Sequence, residues 1–298
     1  MLRNLVAVVL MCGLALPARA GVEVETVRIA HGVRAWYAAS ETVPVVAVQI
    51  SIEGAGFASD PSGKEGRAAL AARMLTEGAG PYDAQAFQQA LEDAAIDLSI
   101  DSSADRLVIS VRALREQAER AGELLALALK EPRFAPDDLA RVKAQTLTQL
   151  KRMNESADYR SGRLMAGHLF AGHPYANPPY GTPESVSSIT ADDLRAFLAT
   201  YAARSNVKIA AGGDVDARLL DTMLGPVIEA LSENAADPYI TPVKLPASGE
   251  RLRETMPVPQ TVVQFAAPGV ARSDKRFYAL SILEEALGGN GFVARLAR

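Results

Sequence analysis

The sequence reads as an α+β protein: a mostly antiparallel sheet flanked by helices, followed by the start of a second copy of the same unit. Three observations lead there. Val43–Ile52 (VPVVAVQISI) is β-branched enough for a buried strand. IDLSIDS from Ile96 and RLVISVRAL from Arg106 alternate apolar and polar residues around Ser103-Ala104-Asp105, as antiparallel strands with one wet face do. Capped, helix-favouring stretches fill most of the chain between and after these strands.

The elements follow in order. MLRN, an apolar run from Leu5 to Leu16 and Ala18-Arg19-Ala20 have the charge, length and small-residue cleavage site of a secretory signal peptide, and the run is too short to span a bilayer. The strand at Val43–Ile52 leads into a turn-rich loop over Gly54–Gly63. GRAALAARMLTEGAG (Gly66–Gly80) is a short helix bracketed by glycines. Asp83 is the expected N-cap of a helix over Ala84–Ala95. After the two alternating strands come helices at Arg115–Lys130, at Pro136–Met153 with proline and acids in its first turn, and at Tyr159–Phe170. Thr190 and Asp193 form a capping box for a helix to Tyr201. Asn206–Ala211 is a strand running into Gly212-Gly213-Asp214.

Beyond Ala235 a proline-rich linker extends to about Pro259. Val43-Pro44-x-x-x-Val48-Gln49 then recurs as Val258-Pro259-x-x-x-Val263-Gln264, an offset of 215, and Leu75 of the first helix matches Leu287 of a later one, an offset of 212. Two patterns at nearly equal offset predict duplicated domains: a first over 21–238, a linker over 239–257, and an incomplete second over 258–298.

At 298 residues and 49% hydrophobic, the chain can bury one large core or two ordinary ones, and 22% charged residues exclude a disordered class. Cys12, the one cysteine, lies inside the signal segment, with Leu10-Met11 before it rather than the small residues of a lipoprotein signal. The expected mature chain therefore has neither disulfides nor thiolate metal ligands. Loss of Arg3 and Arg19 takes the net charge from −4 to −6, and with no basic run the chain is a poor nucleic-acid binder.

No residue pattern supplies a catalytic centre. Asp137-Asp138 and Asp192-Asp193 sit at helix starts, where they complement the dipole. Gly54-Ala-Gly56-Phe-Ala-Ser59 follows a strand, but Asp60-Pro61 blocks the helix a dinucleotide fingerprint needs. No G-x-S-x-G elbow is present. Of the histidines, His168 and His173 are five apart and cannot share one helix face, and His31 lies beside Gly32 in a strand turn, so no zinc cluster forms from them.

Taken in order, the strand, the loop, GRAALAARMLTEGAG, the two alternating strands, EPRFAPDDLARVKAQTLTQL, HPYANPPYGTPESVSSITADDLRAFLATY and NVKIAAGGDVD resemble the M16 (pitrilysin-like) zinc peptidases. The resemblance runs from about Thr26 to Arg298 and is strongest from the HPY stretch to GDV. Active members carry an inverted H-x-x-E-H motif on the first helix. Laid over Gly66–Leu75, the first histidine falls on Ala69, the glutamate on Ala72 and the second histidine on Arg73; a distant glutamate ligand falls on Gln149, 76 positions after Arg73. All four positions are vacated. Methyls cannot ligate, a neutral amide is a weak zinc ligand, and a guanidinium puts positive charge where the metal would sit.

The resemblance then implies an exported, periplasmic, non-catalytic subunit that forms a peptide-holding chamber with a separately encoded, H-x-x-E-H-bearing partner. No cofactor is expected in this chain, zinc belongs to the partner, and extended or unfolded peptides are the implied cargo. Two alternatives stand beside this: a metallopeptidase with residual or unconventional metal use, and a stand-alone peptide-binding envelope protein. Gly288, Gly289 and Gly291 resemble a substrate-holding glycine-rich loop, and equally suit a helix C-cap. An Arg/Tyr substrate-holding pair is implied beyond Arg298.

Overall fold

The computed structural model describes residues 23–236, 240–246, 249–289 and 295. The signal-peptide segment and Gly291 lie outside the described residues. Six strands form one sheet: β1 (Glu25–Arg28), β2 (Arg34–Ala39), β3 (Val45–Glu53), β4 (Asp97–Ser102), β5 (Arg106–Leu114) and β6 (Val207–Gly213). Their order across the sheet is β1-β2-β6-β3-β5-β4, and all neighbours run antiparallel except β2 and β6. The sheet is thus mixed, with one parallel pair among the described residues.

Register explains which face is buried. Val46, Val48, Ile50 and Ile52 of β3 sit opposite Ala113, Val111, Ile109 and Leu107 of β5, and all eight are buried. Ile50 also faces Ile209 of β6. The intervening positions, Ala47 and Gln49 on β3 and Ser110 and Arg112 on β5, are exposed. Period-2 patterning therefore gives the single dry face expected from the alternation, and the other face is polar.

Helices α1 (Arg67–Met74), α2 (Ala84–Asp93), α3 (Ala118–Lys130), α4 (Pro136–Asn154), α5 (Ala157–Leu169), α6 (Pro183–Ser188), α7 (Ala191–Tyr201) and α8 (Ala217–Ala230) surround this core. Asp83 caps α2 through a 2.8 Å bond from the Ala86 amide, and Thr190 with Asp193 forms the expected capping box of α7. α3 and α8 pack so closely that a Cβ on Gly122 would overlap the Met223 carbonyl oxygen. Only glycine lets the two backbones approach so closely.

After Leu231 no strand occurs among the described residues, and the next helix is α9 (Phe277–Glu284), closed by a π-turn over Glu285–Gly289. The recurring pattern at Val258–Gln264 carries no strand here. A strand needs a neighbour to satisfy its amides, and alternation alone does not supply one. The proline-rich segment instead runs along α5: Glu250 lies 3.1 Å from His168, Glu254 pairs with Arg160, and Gln264 donates to the Asp158 carbonyl.

Candidate functional site

The positions singled out by the H-x-x-E-H overlay sit on α1, which touches edge strand β4, α4 and α7. Alanine-rich sequence lets α1 pack tightly. Ala68, Leu70, Ala71, Ala72 and Met74 are buried, while Ala69 and Arg73, one turn apart on the other side, are half-buried.

The entry of α1 is built by Asp60. Its carboxylate accepts the Gly66 amide at 2.9 Å and the Ala68 amide at 3.0 Å, taking up donors that the first turn of a helix leaves orphaned. Gly66 itself, at φ 88°, offers no side-chain cap, and a Cβ there would meet the Tyr180 carbonyl at 2.7 Å. The Arg67 Nε stands 3.5 Å from Asp60, and its guanidinium lies over Phe197 of α7 at 5.1 Å from the ring centroid. Burial pushes the Asp60 carboxyl up to about 7, against the downward pull of Arg67 and the two amides.

Arg73 and Gln149 meet across α1 and α4. Arg73 Nη1 donates to Gln149 Oε1 at 3.3 Å and to Thr146 Oγ1 at 3.0 Å; the Thr146 hydroxyl donates in turn to the Val142 carbonyl at 2.8 Å. The overlay, which set these residues 76 positions apart, thus joins side chains that touch. Thr146 was invisible in the sequence as part of the site; its place one turn before Gln149 on α4 was the available signal. A zinc ion does not fit this donor set. A permanent cation fills the space between α1 and α4, Ala69 and Ala72 present only methyls, and the amide of Gln149 is turned to Arg73.

The histidines stand apart from it. His31 is exposed in a short turn, Ala30–Gly32, between β1 and β2. His168, on α5, faces Glu250. His173 accepts the Tyr175 amide through Nδ1, so its Nε2 carries the proton and donates to the Thr241 carbonyl at 2.8 Å. Tyr175 donates to Asp105 at 2.7 Å, which raises its hydroxyl pKa to about 12, and so braces the β4–β5 turn. The HPY stretch is a structural clamp. Gly288 and Gly289 close the exposed π-turn after α9.

Comparison with known proteins places this geometry in a family. Residues 34–182 match the family described as insulinase (peptidase family M16), and residues 188–298 the family described as the peptidase M16 inactive domain. The chain is 30% identical over 262 residues to the non-peptidase homolog YmxG of Helicobacter pylori, covering 87% of this chain and 60% of that protein. A crystal structure of a peptidase M16 inactive domain from Pseudomonas fluorescens superposes with a TM-score of 0.80 at 27% identity, covering 92% of this chain and 66% of that one. The periplasmic protease PqqL of Escherichia coli shares the fold, with a TM-score of 0.66 at 18% identity over 77% of this chain and 26% of its own. The chain therefore spans about three fifths of the length of the curated relative it matches. It belongs to the M16 peptidase family, and the positions of the H-x-x-E-H overlay and of the distant glutamate hold Ala69, Ala72, Arg73 and Gln149.

Proposed function

We propose that this chain is the non-catalytic, peptide-holding subunit of an exported, periplasmic M16 peptidase whose zinc-bearing partner is a separate H-x-x-E-H chain. The observation that carries this reading is the meeting of Arg73 and Gln149 in an otherwise intact fold: the helix is kept, its ligands are replaced, and the replacements bond to each other. A protein that keeps the scaffold while filling the metal position is suited to a role of the scaffold itself. The sheet has an uncovered polar face and, in β4, an edge whose outer backbone groups are free to take an extended peptide by strand addition. The N-terminal signal-like segment supports export, as does the likeness in fold to a protease described as periplasmic.

In this reading the partner supplies the metal and its water-activating base, while this chain limits access and aligns the peptide. Enclosure raises the local peptide concentration and shuts out folded proteins. The test is co-expression with an M16 subunit bearing H-x-x-E-H, co-purification, and hydrolysis of an unfolded peptide with each chain omitted in turn. The expected result is a complex, with cleavage much faster from the pair than from the zinc subunit alone. Full activity from the zinc subunit alone, with no complex on a sizing column, would refute the proposal.

A further inference from the structure

The Arg73 guanidinium is only partly used. Nη1 spends its hydrogens on Thr146 and Gln149, which pin the group, and both acceptors are neutral. Nε and Nη2 have no hydrogen-bond partner among the described residues, yet neither is sealed from solvent. The same holds for the Nε2 amide of Gln149, whose oxygen faces Arg73. Three donor nitrogens are therefore left at one place with no acceptor among the described residues.

Charge is equally unbalanced. No carboxylate pairs with Arg73 among the described residues. Glu77, one turn further along, is held by Arg141 at 2.6 Å, and Asp138 by the same guanidinium at 2.9 Å. A half-buried cation satisfied by neutral groups alone gains from an anion, because partial burial strengthens the attraction. Ala69, one turn earlier on the same side of α1, is half-buried and ends at its methyl, so it offers the guanidinium no competing acceptor. Edge strand β4 packs against the same helix.

We propose that Arg73, with the Gln149 amide beside it, is a carboxylate-binding subsite that takes a peptide carboxylate on the free Nε–Nη2 edge of the guanidinium. The planar fork matches two carboxylate oxygens, which a lysine at this position could not do. Thr146 and Gln149 act as positioning residues, fixing the plane of the fork through Nη1. The carboxylate is that of a peptide's C-terminus or of an acidic side chain, which share this chemistry. The inference rests on the peptide-holding reading for how the ligand arrives.

The experiment uses the purified chain and three fluorescein-labelled, unfolded short peptides, read by fluorescence anisotropy. One ends in a free carboxylate, one is its C-terminal amide, and the third is the amide with a glutamate replacing an internal glutamine. The free acid should bind about tenfold or more tightly than the amide, the size expected of a bidentate charge-assisted contact, and the difference should shrink as salt is raised. If the side-chain carboxylate is the ligand, the third peptide recovers the tight binding and the C-terminal acid does not matter. Arg73→Gln should erase the preference, and Arg73→Lys should restore only part of it. Should Arg73→Gln fail to fold, the three-peptide comparison on the unaltered chain still decides the matter. Equal binding of all three overturns this inference and leaves the peptide-holding reading standing. No binding of any of them overturns both.

Discussion

Replacing Asp60 by asparagine tests how the vacated helix is held. The side chain is sealed from solvent and faces two helix amides and Arg67. Burial lifts its pKa from 3.8 to about 7. A raised native pKa means that the folded chain binds more protons than the unfolded chain between those values. The stabilising contribution is therefore complete below about pH 4 and is lost as pH rises through about 7. At about 1.36 kcal/mol per unit, the two pKa values give a loss of about 3 kcal/mol between about pH 4.5 and about pH 8. The side chain of the Asp60→Asn variant cannot ionise and keeps one acceptor oxygen. The variant therefore lacks this slope while losing about 1–3 kcal/mol for the amide or guanidinium left unpaired. Urea unfolding of both proteins across that range, followed by far-ultraviolet circular dichroism, gives the difference in stability at each pH. That difference should fall as pH rises. A flat or rising difference would refute the reasoning, since it would show a carboxylate already ionised throughout and held by Arg67 and the amides.

Three further outcomes are expected. The purified chain should retain no stoichiometric zinc after dialysis against trace metal, and about one zinc per chain in elemental analysis would overturn the site described here. Restoring Ala69→His, Ala72→Glu, Arg73→His and Gln149→Glu together should yield zinc binding before activity, because the ligands return without the hydrogen bonds that orient them; a quadruple variant binding zinc no better than the parent would contradict the meeting of positions 73 and 149. Gly122→Ala should destabilise the fold by about 1–3 kcal/mol, since the added carbon overlaps a backbone oxygen that cannot step aside; an unchanged urea midpoint would show that α3 and α8 can separate freely.

What the sequence disclosed follows from where its signals are local. β3 and β5 bury one side chain in two, and β4 turns Leu98 and Ile100 away from solvent between exposed Asp97, Ser99 and Asp101, so alternation was visible within a few residues. Asp83 and the Thr190–Asp193 pair act within one turn, and both were legible. Of β1 and β2 only the turn between them, at His31-Gly32, was legible, the strands being short and built from a mixed run, and α8 was not, since Gly225-Pro226 suits a break although the helix continues through it. At the site, Ala69, Ala72 and Arg73 were placed by resemblance in one helix, and Gln149 by the same resemblance across a long gap that no periodicity spans. The role of Asp60 is hidden in the sequence for a physical reason. Beside Pro61 it reads only as a helix blocker, but the chain turns back so that it caps amides six and eight residues on.

The sheet order also dictates when this domain can assemble. β6 lies between β2 and β3, paired with both, yet it is the last strand of the sheet to leave the ribosome. Until Gly213 has emerged, the earlier strands can form only a two-stranded ribbon, β1 with β2, and a separate three-stranded β3-β5-β4 sheet. Each of these exposes a long inner border that the finished molecule never shows. Chains released early, or stalled before Val207, would carry both borders at once, with Val46, Val48 and Ile50 beside one of them. The keystone arrives late, so folding is governed by contacts distant along the chain, and a holding chaperone would have most to protect in the interval before β6 slots in.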